Sequence, residues 1–80
     1  MSEPVVIDAT AIEPKYRHPR IFETFDNLSV GESFLLLNDH DPKPLFYQFQ
    51  MERPGEANWE PQEEGPERWL IRISKIAKES

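Results

Sequence analysis

The apolar residues of this chain form short segments whose spacing alternates between the period of a strand and the period of a helix. Residues 5–7 and 34–37 are continuous apolar runs, and the turn residues that flank the second run favour a strand over residues 32–38. Between them, residues 21, 22, 25 and 28 are apolar and share one helical face. This alternation predicts strand–helix–strand units, which usually connect parallel strands.

Prolines mark the predicted helix boundaries. We expect the first helix to start near Pro19, because a proline in the first turn lacks only an N–H group that the helix does not use. Residues 9–16 are then interpreted as a linker that contains Pro14. The second helix is expected to start at Pro42 with Asp41 as its capping residue, and to stop at residues 53–55.

The last third of the chain predicts a hairpin. Residues 67–74 alternate in polarity and form the clearest strand of the sequence, with residues 69, 71 and 73 on one face. Residues 58–63 contain Pro61, which cannot donate a ladder hydrogen bond, so this strand is expected at a sheet edge. A turn at residues 64–66 joins the two strands, and residues 76–80 are expected to fray.

These segments predict an α+β two-layer sandwich with the element order β-α-β-α-β-β. We expect a mixed four-stranded sheet in the spatial order 1-2-4-3, with strand 4 antiparallel and both helices on one face. A chain of 80 residues forms a single domain, residues 1–80, and its ordered core is expected to span about residues 5–74.

Composition excludes several classes of function. The chain has 9 basic and 15 acidic residues and a net charge of −6, which disfavours nucleic acid and anionic membrane surfaces as partners. It has no cysteine, so it offers neither a thiolate nucleophile nor a persulfide carrier. The first residues lack the pattern of a signal peptide, and no apolar run is long enough to span a bilayer. We therefore expect a cytoplasmic protein, whose oligomeric state the sequence leaves open.

The predicted topology brings two connecting loops, and both histidines of the chain, to one edge of the sheet. Parallel strands end at the same edge, where ligands of open α/β sheets bind. The candidate ligand-binding residues at this rim are Arg17, His18, Arg20, Asn38, Asp39, His40 and Asp41.

Four interpretations of this rim remain open. The aspartates can be ordinary turn and cap residues. Two helix N-termini with their free N–H groups, together with nearby basic side chains, can bind a small anion. A zinc or iron site can be built from His18, His40, Asp39 and Asp41, although no known metal-binding spacing supports it. A His/Asp pair can act in acid–base catalysis, but no nucleophile accompanies it, so we predict no catalytic residues and favour a non-enzymatic domain.

Two further features of the hairpin have competing interpretations. Trp59 and Trp69 are predicted to form a cross-strand aromatic pair, the alternative being that they stack on a ligand. The acidic residues of this region are predicted to form a solvated edge that prevents aggregation; they are Glu56, Glu60, Glu63, Glu64 and Glu67. The alternative function is a pure protein-interaction module that uses this acidic hairpin and the exposed sheet face.

Several segments resemble the family known as domain of unknown function 2249. They are residues 17–22 (RHPRIF), 30–33 (VGES) and 38–45 (NDHDPKPL), followed by Trp59, the EEGP turn at 63–66 and Trp69. The resemblance covers about residues 5–74 and is carried most specifically by the NDHDPKPL stretch.

The resemblance implies a two-layer sandwich similar to the TusA/SirA sulfur carriers, in a bacterial cytoplasmic protein associated with redox modules. The carriers place a Cys-Pro pair before their first helix, whereas this chain has the cysteine-free residues 12–15 there. Sulfur transfer by that route is therefore excluded, because it needs the cysteine. A shared fold does not by itself restore the function. We expect an accessory domain whose rim binds a small anion or a metal, or docks a redox-associated partner; apart from that metal, the sequence leaves the cofactor unknown.

Overall fold

A computed structural model describes residues 5–77 of the chain. Its strands are β1 (Val5–Asp8), β2 (Ser33–Asn38), β3 (Ala57–Glu64) and β4 (Trp69–Lys75), and its helices are α1 (Pro14–Asp26) and α2 (Lys43–Glu52). A short 3-10 helix, Ala9–Ala11, lies between β1 and α1. Residues 1–4 of the predicted domain and residues 78–80 of the predicted tail lie outside the described part.

The sheet has the predicted order, β1-β2-β4-β3. Strands β1 and β2 are parallel, with Val6 opposite Leu35, and β4 runs antiparallel to both of its neighbours. Strand β3 lies at the edge, and its pairing with β4 is irregular between Pro61 and Glu63. The prediction that Pro61 restricts this strand to an edge is confirmed.

Both helices pack against the same face of the sheet and form a single core with it. Phe49 of α2 lies at the centre, with its ring 4.4 Å from the Phe22 ring and 5.2 Å from the Phe25 ring of α1. The remaining buried apolar residues come from both layers: Ile7, Ala9, Ile21, Phe34, Leu36, Leu45, Ile71 and Ile73. The predicted two-layer sandwich is therefore confirmed.

Helix α1 starts at Pro14, ahead of the expected Pro19, and residues 9–16 are not a linker. Pro14 occupies the first helical position, while Pro19 lies inside the helix. An interior proline costs about 3 kcal/mol. The buried side chains that follow it, such as Ile21 and Phe25, each stabilise the folded state by about 1.5–3 kcal/mol. Tertiary burial therefore outweighs the local preference, and the prediction that α1 starts near Pro19 is wrong.

Helix α2 ends as predicted but begins differently. It starts at Lys43, with Pro42 as the N-cap residue and no side-chain cap, so the prediction that Asp41 caps this helix is wrong. The Arg53 backbone N–H donates to the Phe49 carbonyl at 2.8 Å and closes the last turn. Capping is weak here because the prolines around the start of α2 leave few N–H groups to satisfy.

The two tryptophans do not form the predicted cross-strand pair. Trp59 lies opposite Ile73, whereas Trp69 lies opposite Glu64, next to the turn of the hairpin. The Trp59 ring packs instead against Phe46 of α2, with their centroids 5.3 Å apart. Strand register separates the two indoles along the hairpin, and packing against α2 sets the neighbours of Trp59.

An ion pair links the ends of the two helices. Arg53 donates from Nε to Asp26 Oδ1 at 2.9 Å and from Nη2 to Oδ2 at 2.8 Å. The guanidinium also lies over the Phe22 ring, 5.2 Å from its centroid. Hydrogen bonding from Arg53 holds the pKa of Asp26 below its ordinary value.

We expect Asp26→Asn to lower the free energy of unfolding by about 0.5–1 kcal/mol near neutral pH, because solvent screens this partly exposed pair. The folded-state pKa of Asp26 is depressed. The contribution of Asp26 to the free energy of unfolding is therefore present above its unfolded-state pKa, about 3.9. It is lost as the pH falls through the folded-state pKa. Urea denaturation at about pH 7 and about pH 3 measures this. The difference in the free energy of unfolding between variant and parent should shrink at the lower pH. A constant difference would contradict a stabilising ion pair between Asp26 and Arg53. Glu23→Gln, on the exposed side of α1, is the matched control.

Candidate functional site

A cavity of about 210 Å³ lies at the rim where β1 and β2 end. Its polar wall consists of Arg17 and His18 from α1, Asn38 from the end of β2 and His40 from the β2–α2 connection. We call this the rim cavity. The parallel arrangement of β1 and β2 brings these residues together, because each strand delivers its following segment to the same edge.

The structure places the other three candidate residues outside this cavity. Asp39 is exposed and contacts His40 through its carboxylate. Arg20 is exposed further along α1, where its carbonyl accepts a hydrogen bond from Thr24 Oγ1 at 3.0 Å. Asp41 lines a separate cavity, which shares Pro42 with the first. Arg20 lies outside the cavity because α1 starts early, which puts this residue in the helix interior and not at the helix start.

His40 is oriented by Asp39. The His40 Nδ1 lies 2.8 Å from Asp39 Oδ1, and hydrogen bonding from His40 lowers the pKa of Asp39, with the Arg17 charge acting in the same direction. The ionised carboxylate only accepts, so His40 donates from Nδ1. The other ring nitrogen, Nε2, is then the atom left for a ligand.

His18 is oriented by a residue that sequence reasoning missed. Its Nδ1 lies 2.5 Å from Gln48 Oε1, and Gln48 Nε2 donates to Glu52 Oε2 at 2.6 Å. Because Glu52 can accept but not donate, the amide nitrogen of Gln48 faces Glu52 and its oxygen faces His18. His18 therefore donates from Nδ1. The spacing of Gln48 and Glu52 on one helix is readable from sequence, but nothing local connects them to His18, 30 residues away.

The cationic and neutral donors of the rim cavity are Arg17 and Asn38. Arg17 is half-buried, and its Nε donates to the Ile12 carbonyl at 2.9 Å. This hydrogen bond anchors the guanidinium and leaves its terminal N–H groups to donate to a ligand. Asn38 Oδ1 accepts from the Asp39 backbone N–H at 2.9 Å, so its amide nitrogen is the group left to donate.

The helix N-termini contribute fewer donors than expected. Three of the residues that line the rim cavity are prolines at the helix starts: Pro14, Pro42 and Pro44. A proline has no N–H group, so these positions cannot donate to an anion. Recognition at this rim therefore depends on side chains.

The metal hypothesis gains no geometric support. Among residues 5–77, no group of three or more His, Asp or Glu side chains is arranged to hold a metal ion. The Asp39 carboxylate, one of the predicted ligands, is already bonded to His40. Acid–base catalysis by a His/Asp pair stays an untested alternative to the predicted non-enzymatic domain.

The surfaces of the predicted interaction module lie away from the rim cavity. Edge strand β3 carries exposed glutamates, of which Glu63 lies 3.3 Å from Arg68 Nε. On the sheet face opposite the helices, Val6 lies beside Leu35, and Leu37 lies beside Leu70. Use of either surface by a partner stays a prediction.

Comparison with known proteins identifies one family. The family model described as an uncharacterized conserved protein, DUF2249, matches residues 6–75. No curated protein and no solved structure matches the chain. The family expected from the resemblance is thus confirmed, while the likeness to the TusA/SirA carriers stays a prediction. None of the helices within residues 5–77 has the length and apolar character needed to cross a membrane.

Proposed function

We propose that this chain, which belongs to the DUF2249 family of uncharacterised conserved proteins, binds a small anion in its rim cavity. The observation that carries the proposal is the convergence of Arg17 with both histidines on one cavity of about 210 Å³. Two of these side chains come from a helix and one from a distant connection, so the fold itself brings the nitrogen-bearing groups together.

Each polar side chain has a distinct role in this proposal. The Arg17 guanidinium supplies permanent charge and paired donors, which suit a carboxylate or a phosphate oxygen. His18 and His40 are each held through Nδ1, which leaves Nε2 to donate to the anion when the ring is protonated. The amide of Asn38 adds a neutral donor.

The size of the rim cavity limits the ligand. At about 210 Å³ it lies below the roughly 300–1,000 Å³ of pockets that hold drug-sized molecules. The Asp39 carboxylate contacts His40 and reduces the positive charge available, which disfavours polyanions. These observations support a single small group, such as inorganic phosphate or a short carboxylate.

The test is a titration with inorganic phosphate followed by amide and side-chain NMR shifts. We expect saturable shifts at His18, His40 and Asn38. Arg17→Gln should weaken binding about tenfold or more, because it removes a charge-assisted contact. Arg20→Gln is the matched control, since it removes the same charge from the same helix outside the cavity.

Two outcomes would overturn the proposal: an absence of shifts at the rim residues, or an equal loss of affinity in both arginine variants. Arg17 also bonds the Ile12 carbonyl, so thermal unfolding of Arg17→Gln must be measured alongside. A fold that stays intact while affinity falls separates recognition from structure.

The cellular setting belongs to the same proposal. The family resemblance implies a bacterial cytoplasmic accessory domain, and a chain without cysteine is compatible with a reducing compartment. A redox-associated protein that carries or delivers the small anion is the partner we propose for this rim.

A further inference from the structure

A second cavity, of about 300 Å³, lies between the start of α2 and the β3–β4 hairpin. Phe46, Trp59 and Trp69 supply its aromatic wall, and Asp41 and Glu64 supply carboxylates. We call this the aromatic cavity. The proposed anion site uses none of these side chains.

The aromatic wall differs from the core beneath it. Phe49 is buried, whereas Phe46, Trp59 and Trp69 are each only partly buried. The Phe46 and Trp59 rings meet edge to face, with centroids 5.3 Å apart and an interplanar angle of 68°. Partly exposed rings that line one cavity contact whatever enters it, and an aromatic face attracts a cation.

The charges around the aromatic cavity favour a cation. The lining has two acidic residues, Asp41 and Glu64, and one basic residue, Lys43. Lys43 Nζ lies 4.0 Å from Asp41 Oδ2, and both side chains are well exposed. Such a distant, exposed pair holds Lys43 weakly. The chain as a whole carries a net charge of −6, which adds to the attraction.

The protein's own cations pair with other rings. In the part of the chain that the structure describes, the cation–π contacts place Lys15 over Tyr16, Arg53 over Phe22 and Lys75 over Phe25. The three rings of the aromatic cavity take part in none of them. No basic side chain of residues 5–77 therefore competes with an outside cation for these three rings.

We propose that the aromatic cavity binds a small organic cation of the alkylated-ammonium class. Aromatic faces attract cations without requiring hydrogen bonds, which suits an ammonium group whose protons are replaced by methyl groups. The carboxylates of Asp41 and Glu64 balance its charge. An anion would be repelled by them, and an uncharged apolar molecule would bury them without compensation.

Choline is the probe for this site, and the chain supplies its own readout. Both tryptophans of the protein line the cavity, so intrinsic fluorescence and the two indole N–H resonances report on it directly. We expect a saturable change with choline. The uncharged isostere 3,3-dimethyl-1-butanol should bind about tenfold more weakly or worse, because it lacks the cation–π and charge terms. Sodium chloride at equal ionic strength controls for screening.

Charge variants test the carboxylates. The double variant Asp41→Asn/Glu64→Gln should weaken choline binding about five- to tenfold, as expected for two partly exposed charges. Glu23→Gln, an exposed carboxylate on α1, should leave it unchanged. Phe46→Leu tests the aromatic contribution, since it removes a ring but keeps both tryptophans as reporters.

The proposal fails if choline produces no saturable change, if the neutral isostere binds equally well, or if Glu23→Gln matches the double variant. Phosphate binding at the rim cavity should persist in the double variant, so the two sites can be confirmed or rejected separately. Far-UV circular dichroism shows whether each variant keeps the fold.

Discussion

Phe49→Ala is expected to lower the free energy of unfolding by about 3–5 kcal/mol, the usual range for truncating a buried phenylalanine. Phe49 is only 2% exposed. Its ring contacts Phe22 and Phe25 of α1 and lies 6.2 Å from the Trp59 ring of β3. The substitution therefore opens a cavity where both helices meet the sheet. At about 0.05–0.15 kcal/mol per residue, a chain of 80 residues has about 4–12 kcal/mol in total, so this is a large share.

Urea denaturation of the parent and the variant measures the effect. Met51→Ala on the same helix is the control, because Met51 is 82% exposed and its truncation should change stability by less than about 0.5 kcal/mol. If Phe49→Ala does not fold, Phe49→Leu tests the same contact with a smaller loss. Equal losses at positions 49 and 51 would show that α2 does not pack as described.

Gly65→Ala should cost about 2–4 kcal/mol through two separate effects. Gly65 has a φ of +62°, which an alanine adopts only at a cost. A Cβ at this position would also lie 2.6 Å from Trp69 Cζ2 and 2.8 Å from Cε2. Since a methyl group and an indole carbon cannot approach so closely, the Trp69 ring must move.

Gly55→Ala separates the two effects. Gly55 has a similar φ of +73°, but a Cβ there would meet no atom within 4 Å. It should therefore show only the backbone cost, about 1–2 kcal/mol. Because Trp69 lines the aromatic cavity, Gly65→Ala should also weaken choline binding, whereas Gly55→Ala should not. Equal destabilisation by the two substitutions would contradict the contact between Gly65 and Trp69.

The rim cavity shows how far topology can be read from sequence. Parallel β1 and β2 followed from the strand–helix alternation, and they predicted that His18 and His40 would share an edge. The same reasoning could not identify Gln48, which orients His18 from another helix. Hydrophobic period reports the face on which a residue lies, but it does not report which residue of a distant element lies opposite.

The aromatic cavity shows the converse case. The sequence predicts that Trp59 and Trp69 form a pair across one hairpin, because strand alternation is the pattern that relates them in the sequence. Their actual relation depends on β-register and on the approach of Phe46 from α2. The place of Asp41 in the chain likewise predicts a position at the rim, whereas the residue lines the aromatic cavity and not the rim cavity.

The amino-acid sequence by itself determined the order and type of the elements, the edge position of β3 and the family. These depend on local periodicity, on proline chemistry and on motifs that are contiguous in the chain. The tertiary structure decided which proline begins α1, which groups orient the two imidazoles and which aromatic rings enclose a second cavity. Those outcomes depend on the free energy of packing between segments far apart in sequence, and this energy can outweigh a local preference of about 3 kcal/mol.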